Sequence, residues 1–307
     1  MTCVQNWLKS FVHSFSQVIF LENILSGLFI IVGIGIYSYE AKNYHILLIP
    51  ILANLLANAT AKILGCDTKK IISGLFGFNA VLIGLAAVVF FPAPYAAYLV
   101  AGLGSILSIP LTLLINFLCG KLQLPGFTFP FIMITWLFIL IAPQTKLLNC
   151  IDLTSPTSAP VNGAIVWQNA LTKGLGEIYL LDSVIASLFI LAAFALDNWK
   201  HALKVIGAIL LSTVLALIFQ ANTQMINSGM YAYNAILVLA ALETFSKIKT
   251  KRREYTMLVL FALLLCACFD YALATVLHVF ALPVLTFPFV MVAWIVLYFT
   301  QNNMGNS

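Results

Sequence analysis

Two threonines stand among prolines and phenylalanines in an otherwise apolar chain. Thr128 lies in LPGFTFPF (Leu124 to Phe131) and Thr286 in LPVLTFPF (Leu282 to Phe289), 158 positions later. A threonine hydroxyl in an apolar setting must find an acceptor, and its own helix four residues back is one choice. Here each threonine follows one proline by three residues and precedes another by two. Proline has no N–H to give a helix, so carbonyls are freed nearby. Polar atoms therefore gather at two matched places. Two such hydroxyls suit the centre of a polar pathway, narrowed by the flanking phenylalanines.

Other reactive side chains are sparse. Asp270 sits inside an apolar run, where a carboxyl is either functional or a buried, hydrogen-bonded structural acid. Glu22 and Asp182 match at an offset of 160, whereas His13, His45, His201 and His278 occupy no matched positions. The six cysteines show no metal-ligand spacing, so neither a metal nor a cofactor is expected. A membrane-embedded enzyme built on Asp270 or His278 would concentrate its polar residues in one half. The polar residues instead recur in both.

The elements that position these groups follow from composition. Of the 307 residues, 62% are hydrophobic and 8% charged, against ~25% charged in soluble domains. The expected class is an all-α integral membrane protein. The net charge of +5 sits in short loops between apolar runs, which is not a nucleic-acid signature. Ten spans are expected. The first five are 24–41, 44–64, 72–91, 95–120 and 127–142; the second five are 184–197, 202–220, 229–246, 256–278 and 285–300. The polar stretch 143–164, containing LTSPTSAP, divides a first repeat (1–142) from a second (165–307). A short amphipathic stretch opens each half, at about 5–20 and 165–180. It either lies on the membrane surface or re-enters the protein, and re-entry is the preferred reading.

The halves match in order. QVIFLE (Gln17 to Glu22) pairs with EIYLLD (Glu177 to Asp182), SGLFGFNAVL (Ser73 to Leu82) with SGMYAYNAIL (Ser228 to Leu237), and Trp136 with Trp294. Matched blocks at nearly one spacing are a repeat signal. Five spans per half force the second half to enter from the opposite side, giving an inverted repeat with its solute path between the halves. Of fifteen Lys and Arg, only Lys42, Lys146 and Lys173 fall on one side. That bias puts both termini in the cytoplasm and the linker outside.

The LPxxTFPF segments, the QVIF and EIYL openings and the G-x-x-x-x-N-A-x-L blocks resemble the urea transporter family over about residues 5–300. The resemblance implies a homotrimer in the lipid bilayer, each protomer with its own pore, and channel-type passage of urea. It implies backbone carbonyls from the ends of two re-entrant helices, with Gln17 and Glu177 at matching places and Ile178 beside the latter. Thr128 and Thr286 would mark the constriction. Phe20, Phe78 with Leu82, and Tyr233 with Leu237 would form flat slots around it. Leu180 stands where the family commonly has Phe, so the second slot is one-sided or uses Tyr179. Tyr233 replaces an expected Phe. The short termini suggest a bacterial protein, hence the inner membrane.

The chemistry suits urea. A row of carbonyls and hydroxyls replaces water lost by four N–H donors, and thin apolar slots offer hydrated ions no compensating partner. Passive, selective passage of urea and close amide analogues is the leading expectation. The alternative is an ion-coupled carrier of a small polar solute, with Asp270 and Glu177 as its candidate coupling residues.

Overall fold

The computed structural model describes residues 3–145, 147–152, 163–246 and 252–302. Half of the 143–164 linker, including Lys146, and Lys247, Lys249 and Lys251 lie outside them. Among the described residues every regular element is a helix. The first half runs α1 (Cys3–Ser16), α2 (Ile24–Glu40), α3 (His45–Ile63), the short α4 (Thr68–Ile72), α5 (Phe78–Phe90), α6 (Pro94–Gly120) and α7 (Phe129–Ile141). The second runs α8 (Trp167–Glu177), α9 (Val184–Ile218), the short α10 (Thr223–Asn227), α11 (Tyr233–Phe245), α12 (Arg252–His278) and α13 (Phe287–Asn302). Asn198 leaves helical geometry inside α9, at φ −156° and ψ 111°, dividing it between the two expected spans.

Among the described residues, four helices are long and apolar enough to cross a bilayer: His45–Ile63, Pro94–Gly120, Trp199–Ile218 and Arg253–His278. The pair Val4–Ile19 and Ile24–Glu40, bent by 79°, makes a fifth if taken as one span. The chain is an integral membrane protein. Among the described residues, other expected spans form shorter apolar helices. Helices α5, α7 and α11 have 13 residues each, about 20 Å at 1.5 Å per residue, short of the ~30 Å of hydrocarbon.

The shortfall has a local cause. Where a helix is expected from residue 72, Ser73–Gly77 are turns and α5 begins only at Phe78. Gly74 takes φ 82°, and a Cβ there would lie 2.5 Å from the carbonyl carbon of His13. Gly229, at φ 78°, is likewise pressed against Gly174, whose nitrogen would be 2.2 Å from an added Cβ. The turns are thus docking points for α1 and α8. Non-helical backbone of this kind is tolerated at depth only where protein covers it.

Other breaks recur at the same offsets. Left-handed φ values pair Phe20 (60°) with Leu180 (57°), Gly65 (70°) with Gln220 (54°), Gln123 (59°) with Ala281 (52°), and Phe127 (49°) with Leu285 (51°). Bulky residues seldom adopt this conformation. It turns the chain sharply just before the helices that follow.

The C-terminal half of helix α1 is packed into the protein. Ser10, His13, Ser14, Ser16 and Gln17 are buried. The Ser10 hydroxyl bonds Asn58 Oδ1 at 2.7 Å, and Asn54 Nδ2 donates to the Phe11 carbonyl at 2.9 Å. These asparagines of α3 satisfy a polar helix face that would be costly to bury alone. Across the halves, α2 packs on α9, with Ser26 Oγ donating to the Ala193 carbonyl at 2.7 Å.

Candidate functional site

The two LPxxTFPF segments meet. Each chain turns at a left-handed residue, Phe127 or Leu285, then starts a helix with proline in its first turn, where a missing N–H costs nothing. Thr128 occupies the N-cap of α7, yet its side chain makes no capping bond. Its hydroxyl lies instead 2.6 Å from that of Thr286. Both threonines are buried, at 0% and 4% exposure. One hydroxyl donates and the other accepts, which leaves one O–H and lone pairs on both oxygens unused. The pair can therefore offer a small amide both a donor and acceptors.

A reciprocal pair of indoles clamps this contact. Trp136 Nε1 donates to the Pro283 carbonyl and Trp294 Nε1 to the Pro125 carbonyl, each at 2.8 Å. The prolines' freed carbonyls are thus bonded across the halves. Phe129 and Phe287 stack at 6.3 Å between the tryptophans. Asparagines support the turns: Asn79 accepts from the Phe131 N–H at 3.2 Å, and Asn234 donates to the Leu285 carbonyl at 3.3 Å.

On one side of the threonines a cavity of about 420 Å³ opens, with Glu177, Ile178, Leu180, Tyr233 and Thr286 in its wall. Asp182 also lines it and pairs with Lys173. The Tyr233 hydroxyl is turned inward and donates to the Leu285 carbonyl. Outside the cavity wall, four rings gather, Phe127 among them next to Thr128. Phe20 lies 5.6 Å from Phe127, 5.7 Å from Phe245 and 5.9 Å from Phe289, and Phe127 lies 5.1 Å from Phe289. The corresponding residues of the opposite half are Leu180, Leu285, Phe90 and Phe131, and all four line the cavity. Two phenylalanines in one half are leucines in the other. That difference accompanies packed rings in one set and open space beside the other.

Of the residues expected from sequence, Thr128 and Thr286 come together directly. Five share the cavity wall, and Phe20 joins the ring cluster. Phe78, Leu82 and Leu237 are buried in the core, at 7%, 1% and 0% exposure, and the cavity wall does not include them. Gln17 is buried, and the carbonyls of Gln17 and Glu177 each accept the amide N–H three residues on, at 3.1 and 3.0 Å. A carbonyl so bonded keeps a second lone pair. Tyr179 is fully buried, the cavity wall does not include it, and its hydroxyl donates to the Phe15 carbonyl at 2.7 Å. Sequence reading passed over Asn79 and Asn234, although both stand inside the repeated G-x-x-x-x-N-A-x-L block. Phe90 and Phe245 carried no motif that would have marked them.

Known proteins match this chain along nearly its whole length. The family model described as "UT: Urea transporter" matches residues 8–301. "Urea transporter 1" of Ovis aries is 25% identical over 317 aligned positions, covering 97% of this chain and 81% of the relative. "Urea transporter 1" of Rattus norvegicus is 26% identical over 321 positions, with the same shares covered.

Proposed function

Because the chain belongs to the urea transporter family, we propose that it carries urea passively down its gradient, through a path between its two halves. The observation that carries this reading is the buried Thr128–Thr286 contact at the joint of two like segments, with a cavity leading to Thr286. Urea is flat and uncharged. The threonine pair gives it a donor and acceptors where water is excluded, which limits the cost of stripping its hydration. Apolar walls of Leu180, Leu285 and phenylalanine give an ion nothing in exchange for its water. Binding there must remain weak enough for release.

The residues in contact with the solute are then Thr128, Thr286, Glu177, Ile178, Leu180, Tyr233 and Phe20, with Gln17 at the matched helix end. The two halves are read as inverted repeats of five membrane segments, each opened by a re-entrant helix, with both termini cytoplasmic. The distribution of Lys and Arg supports that orientation. The homotrimer rests on the resemblance of the repeated segments and extends the family assignment.

Stopped-flow light scattering on proteoliposomes tests the reading. Urea should equilibrate faster than glycerol, at a rate indifferent to proton and sodium ionophores. Uphill accumulation of urea driven by an imposed ion gradient would replace the channel with an ion-coupled carrier.

A further inference from the structure

Asp270 lies in α12 at 5% exposure, inside the apolar interior of a membrane protein. Its Oδ1 accepts from Asn234 Nδ2 at 2.7 Å, and its other oxygen accepts from the Cys266 thiol at 3.7 Å. The same Asn234 Nδ2 donates to the Leu285 carbonyl, the residue before Thr286. A chain of two hydrogen bonds therefore runs from the carboxyl to the backbone of the threonine.

The first half solves the same problem differently. Asn79 occupies the place of Asn234, and its amide oxygen is held by the Phe131 N–H. Thr112, 158 positions before Asp270, occupies the place of the carboxyl, and its hydroxyl has no partner. In the second half the Asn234 amide oxygen is the unpartnered atom. A buried amide with its oxygen unpaired gains by turning towards a donor. It is kept from turning chiefly because Asp270 Oδ1 accepts from its NH2 at 2.7 Å; the Leu285 carbonyl accepts from the same NH2 and also from the Tyr233 hydroxyl. Of the two acceptors, only the carboxyl is a side chain that another residue could replace.

We infer that Asp270 is a positioning residue of the solute path: it locks the Asn234 amide, which holds the Leu285–Thr286 backbone against Thr128. The inference rests on the urea reading above, and it is not needed for the fold of the first half, which lacks the carboxyl. Losing the lock lets the Leu285 turn shift, so Thr286 meets the solute at a less defined place. Discrimination between similar solutes then falls, beyond any change in the amount of folded protein.

The test measures urea and acetamide permeabilities of proteoliposomes holding wild-type, Asp270→Asn, Asp270→Thr or Asp270→Leu protein, each normalised to folded protein. Asparagine keeps the acceptor oxygen, so the urea-to-acetamide ratio should stay within about twofold of wild type. Threonine copies the first half, where the hydroxyl does not reach its asparagine, and leucine has no acceptor. Both should lower the ratio by about threefold to tenfold, the range expected for one lost hydrogen bond. A wild-type ratio in the threonine and leucine variants overturns the inference. So does a result in which only asparagine yields folded protein, since Asp270 is then structural. If wild-type protein itself conducts no urea, the proposed function fails instead.

Discussion

Thr128 and Thr286, separated by 158 positions in sequence, share one hydrogen bond of 2.6 Å between their hydroxyls. Neither hydroxyl is returned to its own helix, and a single substitution therefore alters both sides of the joint. Thr128→Val or Thr286→Val keeps the shape and leaves the other hydroxyl without its partner. Loss of ~1–3 kcal/mol at the constriction should slow urea by about fivefold to a hundredfold. The double variant should fall short of the product of the two, because both singles remove the same bond. Permeability per folded protein checks this. Wild-type rates in both single variants would take the pair out of the path.

The ring cluster should limit larger amides. Phe20→Leu puts into the first half the residue that Leu180 already supplies in the second. Edge contacts of an aromatic pair contribute ~0.5–1.5 kcal/mol beyond area. Acetamide permeability should rise by about twofold to tenfold, with urea changing less. An unchanged or lower acetamide rate in folded protein would show that the four rings do not restrict passage.

The indole clamp should be symmetric in its energetics. Trp136→Phe and Trp294→Phe each strip a donor from a proline carbonyl, at a cost of ~1–3 kcal/mol if the carbonyl is left dry. Thermal unfolding of detergent-solubilised protein should show similar drops in midpoint for the two. A large drop in one and none in the other would mean that only one carbonyl depends on its indole.

The docking glycines should be intolerant of any side chain. At Gly74 and Gly229 alanine must adopt a left-handed φ, costing ~1–2 kcal/mol, and its Cβ would overlap the backbone of α1 or α8. Both variants should lose folded protein on size-exclusion chromatography. Gly102→Ala, with open space around an added Cβ, should behave as wild type. Normal elution of Gly74→Ala would contradict the tight seating of α1.

The orientation has a direct assay. In a cysteine-free background, Asp152→Cys should react with a membrane-impermeant maleimide from outside, while tags on both termini stay protected until the cells are opened. Labelling of position 152 only after permeabilisation would reverse the topology.

Much of this was legible in the residues themselves. Apolar runs reveal a membrane protein because burying a chain in lipid requires them, and repeated blocks reveal two like halves because matched positions keep matched turns. The threonines could be singled out for the same reason, since prolines at fixed offsets expose polar atoms wherever they fall. Span length was not legible. Periodicity across 72–91 reads as one helix, yet the docking of α1 on Gly74 forces turns through Gly77, and only packing reveals that contact.

The site divides the same way. Sequence alone determined which residue types could serve a small amide and that they would come twice, because local chemistry and spacing are properties of the chain. Tertiary structure alone decided that Thr128 faces Thr286, that Tyr179 turns to Phe15, and that Phe90 lines the cavity while Phe245 joins the ring cluster. Those outcomes depend on which surfaces of two halves meet, and hydrogen bonds between residues more than 150 positions apart leave no local pattern to read.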